Sequence, residues 1–166
     1  MDSQTLRALQ APIKEKYKMH PETALITMHA EAKLGEDLTA IVKTKDGTLI
    51  SGPHPASGGS GKEVCSGDMF LEALAACAGV TMNAVATAMA ITLKSATITA
   101  DGDVDFRGTL GVSKEAPVGF KNIRLKFILD SDAPQDQIAS LIKLTERYCI
   151  VFQTLKNPPE ITVSLA

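Results

Sequence analysis

The sequence predicts an α+β fold built on a largely antiparallel sheet, and three observations predict it. Short alternating runs bounded by turn residues occupy residues 24–50 and return over residues 95–130. Between them, MFLEALAACAGVTMNAVATAMAITL carries Glu72 as its single charge. A second helical pattern and a closing strand finish the chain. The whole has 166 residues, 45% hydrophobic and 22% charged, with net charge −2, which is one domain's worth of chain with no basic excess for nucleic acid.

Each element follows from its local pattern. Residues 3–18 place Leu6, Leu9, Ile13 and Tyr17 at spacings of three and four after a candidate cap at Ser3. They predict an amphipathic helical arm, interrupted or kinked at Pro12, and the arm is set at residues 1–20 ahead of a single domain over 21–166. ALITMHAEA and LTAIVKT alternate as antiparallel strands, with GED between them and a turn at Asp46 and Gly47. SGPHPASGGSGKEVCSG, residues 51–67, is too rich in Gly, Ser and Pro for either regular structure and predicts a long loop. Asp68 closes it as a candidate N-cap.

The segment after Asp68 is long enough to span a bilayer, yet it is Ala-dominated, broken by Thr81, Asn83 and Thr87, and lacks an aromatic belt. It predicts a helix surrounded by protein, with no membrane partner. SATITADGDVDF, GTLGV and FKNIRLKFILD predict three further strands. Pro134 opens a second long helix in which Ile138, Leu141, Ile142, Thr145 and Cys149 share a face and which ends near Val151. EITVSLA predicts the final strand. A helix apolar on nearly every face needs more cover than one small sheet supplies, so a homodimer is expected.

With no Trp, two Tyr and five Phe, the core is aliphatic, which argues against an aromatic-lined ligand cage. Three cysteines, Cys65, Cys77 and Cys149, are too sparse and too odd in number for a disulfide scaffold and point to a reducing compartment. The first twenty residues lack a continuous apolar segment, and a cytoplasmic protein is expected. SGGSGKE fails as a phosphate loop, since Ala56 replaces the first Gly and Glu63 the magnesium-binding hydroxyl. His20, His29 and His54 have no metal-ligand spacing to the cysteines, and no C-x-x-C is present, so neither metal nor organic cofactor is expected.

Cys77 in LEALAACAGV and Cys149 in LTERYCIVFQTL both fall on the apolar face of a predicted helix. Two readings stand: small hydrophobes in a core, or a redox pair if the helices cross with the Cα atoms about 5.5 Å apart. The combination SGDMFLEALAACAGVTM after a Gly-rich loop, with ERYCIVFQTL before a terminal strand, resembles the OsmC/Ohr family of thiol peroxidases, from about Ala24 to Ala166.

That resemblance implies an intertwined homodimer that reduces organic, fatty-acid-like hydroperoxides, with Cys77 as the peroxidatic thiol, Cys149 as its resolving partner and an external thiol as reductant. Family members place an Arg from the early strands beside the sulfur, but residues 24–50 here contain none. The candidates are Arg107, favoured as part of a strand bordering the site, then Arg147, Arg124 and Arg7. Asp68 matches the family's acidic position or is only the helix cap, and Glu72 orients an Arg or faces solvent. Ile150 stands where many relatives carry Pro. Cys65 is either a bystander or an alternative resolving thiol. The rival functions are a noncatalytic apolar-ligand carrier on the same scaffold, which the missing early Arg favours, and a redox sensor.

Overall fold

A computed structural model describes residues 1–165 of the chain. The arm is a helix, α1 (Ser3–Met19), that runs through Pro12 without interruption. Its cap is Asp2, whose carboxylate accepts from the Thr5 N–H at 2.7 Å, in place of the expected Ser3. A 3-10 turn, Pro21–Ala24, follows. The expected strand over ALITMHAEA gives way to β1 (Ala32–Leu34), just before which the Glu31 carbonyl accepts from the Lys43 N–H at 3.0 Å, and residues 25–30 form no strand. Alternation establishes a residue pattern, but a strand also needs a partner strand, and residues 25–30 are paired with none among the described residues.

LTAIVKT and the segment after it form β2 (Ala40–Thr44) and β3 (Gly47–Gly52), an antiparallel hairpin turning at Lys45 and Asp46 with Ile41 opposite Ile50. The Gly-rich loop contains a 3-10 turn, Pro55–Ser57, and then β4 (Val64–Cys65), which pairs parallel to β3. The sheet order is β1-β2-β3-β4. Helix α2 (Ser66–Ala88) begins two residues before the expected cap, so Asp68 lies inside its first turn. There a carboxylate complements the helix dipole.

Next come β5 (Ser95–Val104), α3 (Phe106–Thr109) and β6 (Phe120–Asp130), with β5 and β6 paired in a two-stranded sheet. The strand expected at GTLGV is not formed. Asp105 caps α3 by accepting from the Arg107 N–H at 3.2 Å, and the turn packs so tightly that a Cβ on Gly108 would meet the Pro117 carbonyl oxygen at 2.5 Å. Helix α4 (Gln135–Tyr148) starts after Pro134, and α5 (Ile150–Lys156) follows directly. The expected single helix to Val151 is therefore two helices divided at Cys149. The expected closing strand is absent over residues 160–165, where Ile161, Val163 and Leu165 are each more than four-fifths exposed, and residue 166 lies outside the described residues.

The chain divides into two compact units, one comprising Met1–Glu15, Ala73–Thr99 and Lys126–Ala166, the other Lys16–Glu72 and Ala100–Leu125. The first holds the aliphatic core: Met82, Ala86, Ile91 and Leu141 are buried, with Phe127, Leu129, Ile138 and Ile142 packed against them. Within it α2 buries one stripe, Leu74, Ala78, Met82 and Ala86, at the four-residue repeat of a helix. Val80, on another face, stays 73% exposed. By length and a mean hydropathy of 1.5, α2 is the one described helix able to cross a membrane. Its buried stripe is that of a helix packed on protein, but the expectation that protein surrounds it is met on that stripe alone. The second unit holds the four-stranded sheet, α3 and the ion pairs of Asp103 and Asp105.

Candidate functional site

The break between α4 and α5 builds the site. Cys149 takes an extended conformation, φ −73° and ψ 109°, and serves as both the last cap of α4 and the first cap of α5. The junction is tied on both sides. Cys149 N–H donates to the Thr145 carbonyl at 2.9 Å, Gln153 N–H donates to the Cys149 carbonyl at 2.9 Å, and Gln153 Nε2 donates to the Glu146 carbonyl at 2.7 Å. Thr145, fully buried, donates its hydroxyl to the Leu141 carbonyl at 2.8 Å. Cys149 itself is 0% exposed. It caps a helix instead of lying along a helical face.

A helix start leaves its first N–H groups without intrahelical acceptors. In α5 those of Ile150 and Val151 face the sulfur of Cys77, which stands half-buried in α2. Burial pushes the Cys77 thiol up, yet the Val151 N–H, the Cys149 thiol, the Ile150 N–H and the Thr81 hydroxyl together hold it below the ordinary thiol value. None of these donors is a cation. Stabilisation by neutral donors is the third route to a shifted pKa, separate from charge and solvation.

Cys149 moves the other way. Burial pushes its thiol up, the Phe152 N–H opposes this, and the neighbouring Cys77 sulfur adds to the rise. Both thiols are free. The two thiols shift in opposite directions, Cys77 below the ordinary value and Cys149 above it. A thiolate attacks an electrophile, and an adjacent thiol can then condense with the oxidised sulfur.

The remaining candidates have surroundings of their own. Arg107 is in α3, not in a strand, and is exposed. Its guanidinium grips Asp105 by two hydrogen bonds of 2.9 and 2.6 Å, which holds the Asp105 carboxyl down at about 2. Arg124 is likewise held by Asp103, at 2.6 and 2.8 Å. Arg147 is exposed, 5.5 Å over the Tyr148 ring. Asp68 and Glu72 are exposed one turn apart on α2. Cys65, at the end of β4, is half-buried beside a cavity of about 620 Å³ in the second unit, with Asp68 on its rim. His54 accepts from the Ala56 N–H at 3.0 Å and stacks on Phe106. No cluster of three or more His, Cys, Asp or Glu able to hold a metal occurs among the described residues.

Sequence reasoning named both cysteines but missed the donors. Thr81 was legible in principle, four residues past Cys77 and thus on the same helical face. The Ile150 and Val151 N–H groups were not, because a backbone donor is carried by every residue except proline. The one hint is the β-branched pair itself, which weakens helix propensity at the break.

The arrangement has relatives. Residues 59–164 match the family model described as OsmC-like protein. No curated protein sequence matches the chain. Among solved structures, an OsmC-like protein from Mycoplasma pneumoniae is similar at 20% identity with TM-score 0.67, covering 80% of this chain and 89% of that one. A protein from Elizabethkingia anophelis titled an organic hydroperoxide resistance protein is 18% identical with TM-score 0.65, covering 81% and 91%. One from Legionella pneumophila, titled an organic hydroperoxide resistance protein OsmC and predicted redox protein, is 22% identical with TM-score 0.63, covering 80% and 91%. With the family model spanning more than half of its length, this chain belongs to the OsmC-like protein family.

Proposed function

We propose that the chain is a thiol peroxidase that reduces organic hydroperoxides to alcohols. The observation that carries this is the Cys77 sulfur held in reach of Cys149 and of the free N–H groups that open α5. The Cys77 thiolate attacks the terminal oxygen of ROOH, the O–O bond breaks, and the alkoxide leaves and takes a proton as ROH. Cys77 is then a sulfenic acid. The Cys149 thiol attacks it, water departs, and a Cys77–Cys149 disulfide remains. An external dithiol reduces that disulfide and restores both thiols.

The same reading makes residues 21–166 one OsmC-like domain carrying residues 1–20 as an arm, working as a homodimer in a reducing, aqueous compartment. The exposed faces of α2 and residues 25–30 and 160–165, which are exposed and in no strand, support a second copy as their cover. Arg107, Asp68 and Glu72 enter as exposed groups of the second unit, and Arg107 is tested below by substitution.

One observation favours a second reading, a redox sensor or apolar-ligand carrier: the donors on Cys77 are all neutral, where the family resemblance calls for a cation. Turnover separates the two. Reduced protein is mixed with cumene hydroperoxide or hydrogen peroxide and a dithiol reductant, and peroxide consumption is followed. Sustained consumption selective for the organic peroxide is expected. A single stoichiometric oxidation would leave the sensor, and no thiol loss at all would leave the carrier.

A further inference from the structure

In an uninterrupted helix each carbonyl accepts from the N–H four residues on, so the Glu146 carbonyl would take the Ile150 N–H. The break at Cys149 parts this pair. The Ile150 N–H faces the Cys77 sulfur instead, and the Glu146 carbonyl needs another donor. Gln153 supplies it. From a half-buried side chain on α5, its Nε2 donates to that carbonyl on α4 at 2.7 Å. The other end of the amide is held as well: Asn157 Nδ2 donates to Gln153 Oε1 at 3.2 Å, which leaves the NH₂ end for the carbonyl. The Gln153 N–H donates to the Cys149 carbonyl at 2.9 Å. All of these groups belong to the first unit.

We propose that Gln153 is a positioning residue: its side-chain amide stands in for the Ile150 N–H on the Glu146 carbonyl and so keeps that N–H free for the Cys77 sulfur. The inference rests on the peroxidase reading for its effect on rate, while its effect on the thiol is independent of any peroxide. A half-buried carbonyl left without a donor is costly, and two arrangements satisfy this one. Either the Gln153 amide donates and the break between α4 and α5 persists, or the Ile150 N–H returns to Glu146 and the two helices join. The second arrangement takes a donor away from the sulfur. Gln153 selects the first, and through it a side chain on the second turn of α5 sets how readily Cys77 ionises.

The test follows alkylation of Cys77 by iodoacetamide against pH in full-length protein, read by peptide mass spectrometry. Gln153→Met keeps the length of the side chain and removes the donor. It moves the midpoint of alkylation up toward the ordinary thiol value and slows alkylation at neutral pH by about two- to tenfold. At high pH, where the thiolate is fully formed in both, the variant matches the parent. Asn157→Ala, at an exposed position, moves the midpoint the same way by less. In an Ile150→Pro background the N–H is gone and the proline itself keeps Cys149 extended, so Gln153→Met adds no further shift. A Gln153→Met protein that melts earlier but alkylates like the parent overturns the proposal, because Gln153 then only joins two helices. A full further shift in the proline background overturns it too. Should Gln153→Met fail to fold, Asn157→Ala decides, and an unmoved midpoint there is equally fatal. Consumption of cumene hydroperoxide is measured alongside. A shifted midpoint with no peroxide consumed removes the peroxidase reading and leaves the role of Gln153 standing, whereas peroxide consumed with every midpoint unmoved does the reverse.

Discussion

The two compact units treat polarity in opposite ways. In the second unit, Arg107 and Arg124 are exposed and bound to a half-buried Asp105 and an exposed Asp103. Such pairs contribute little, because solvent screens them and both side chains lose freedom. In the first unit neutral N–H, S–H and O–H groups bond to one sulfur, beside a cysteine wholly removed from water. A hydrogen bond gains strength where competing water is absent. The contrast teaches that the groups lowering the Cys77 thiol are neutral ones: the N–H groups that open α5, the Cys149 thiol and the Thr81 hydroxyl.

The largest effect that sharpens this comparison is on the nucleophile. Cys77→Ser lowers kcat/KM for organic hydroperoxide by about 10³-fold or more, since an alcohol is not ionised near neutrality. Residual activity close to that of the parent would move the reactive sulfur to Cys65 or Cys149. Cys149→Ser comes next. It permits one oxidation of Cys77 and then stalls, with sulfinic acid accumulating at Cys77 under excess peroxide, as peptide mass spectrometry would register. It also costs about 1–3 kcal/mol of stability, because a hydroxyl replaces a thiol at a fully buried position, and thermal unfolding reports this.

A subtler change attacks the donors. Ile150 is the first residue of α5, a position where proline's fixed φ suits a helix and its missing N–H breaks no intrahelical bond. Ile150→Pro therefore leaves stability within about 0.5 kcal/mol. It raises the Cys77 thiol toward its ordinary value and slows peroxide consumption at neutral pH by about three- to tenfold. An unaltered thiol titration would remove α5 from the account.

The pH dependence follows with its sign. Cys77 is lowered on folding, so its contribution to stability is present above the ordinary thiol value, about 8.5, and is lost as the pH falls through the lowered one. Peroxide consumption rises with pH and levels off before an ordinary thiol would. Cys149, raised by burial, costs stability once the pH climbs past the ordinary thiol range. Smallest of all is Arg107→Ala. It returns the Asp105 carboxyl from about 2 toward its usual range and changes the rate by less than about twofold. A loss as large as that of Ile150→Pro would show that the arginine acts on the sulfur after all.

What could be read from the sequence divides along physical lines. Helices α2 and α4 and strands β2, β5 and β6 announce themselves because periodicity is a property of consecutive residues. The strands expected at ALITMHAEA and EITVSLA have the right residues, but pairing is decided by a partner that lies elsewhere in the sequence, which alternation cannot reveal. GTLGV failed because an Asp cap and a close backbone approach at Gly108 outweighed three apolar residues. Cys77 and Cys149 were visible as chemistry. The break at Cys149 was not, since neither Gly nor Pro marks it, and with it went the N–H groups that lower the Cys77 thiol.

The most direct measurement is to treat reduced protein with one equivalent of an organic hydroperoxide, block the remaining thiols and map the disulfide by peptide mass spectrometry. The account predicts Cys77 bridged to Cys149, with Cys65 carrying the blocking group. A bridge through Cys65, or three blocked thiols with the peroxide unconsumed, would contradict it.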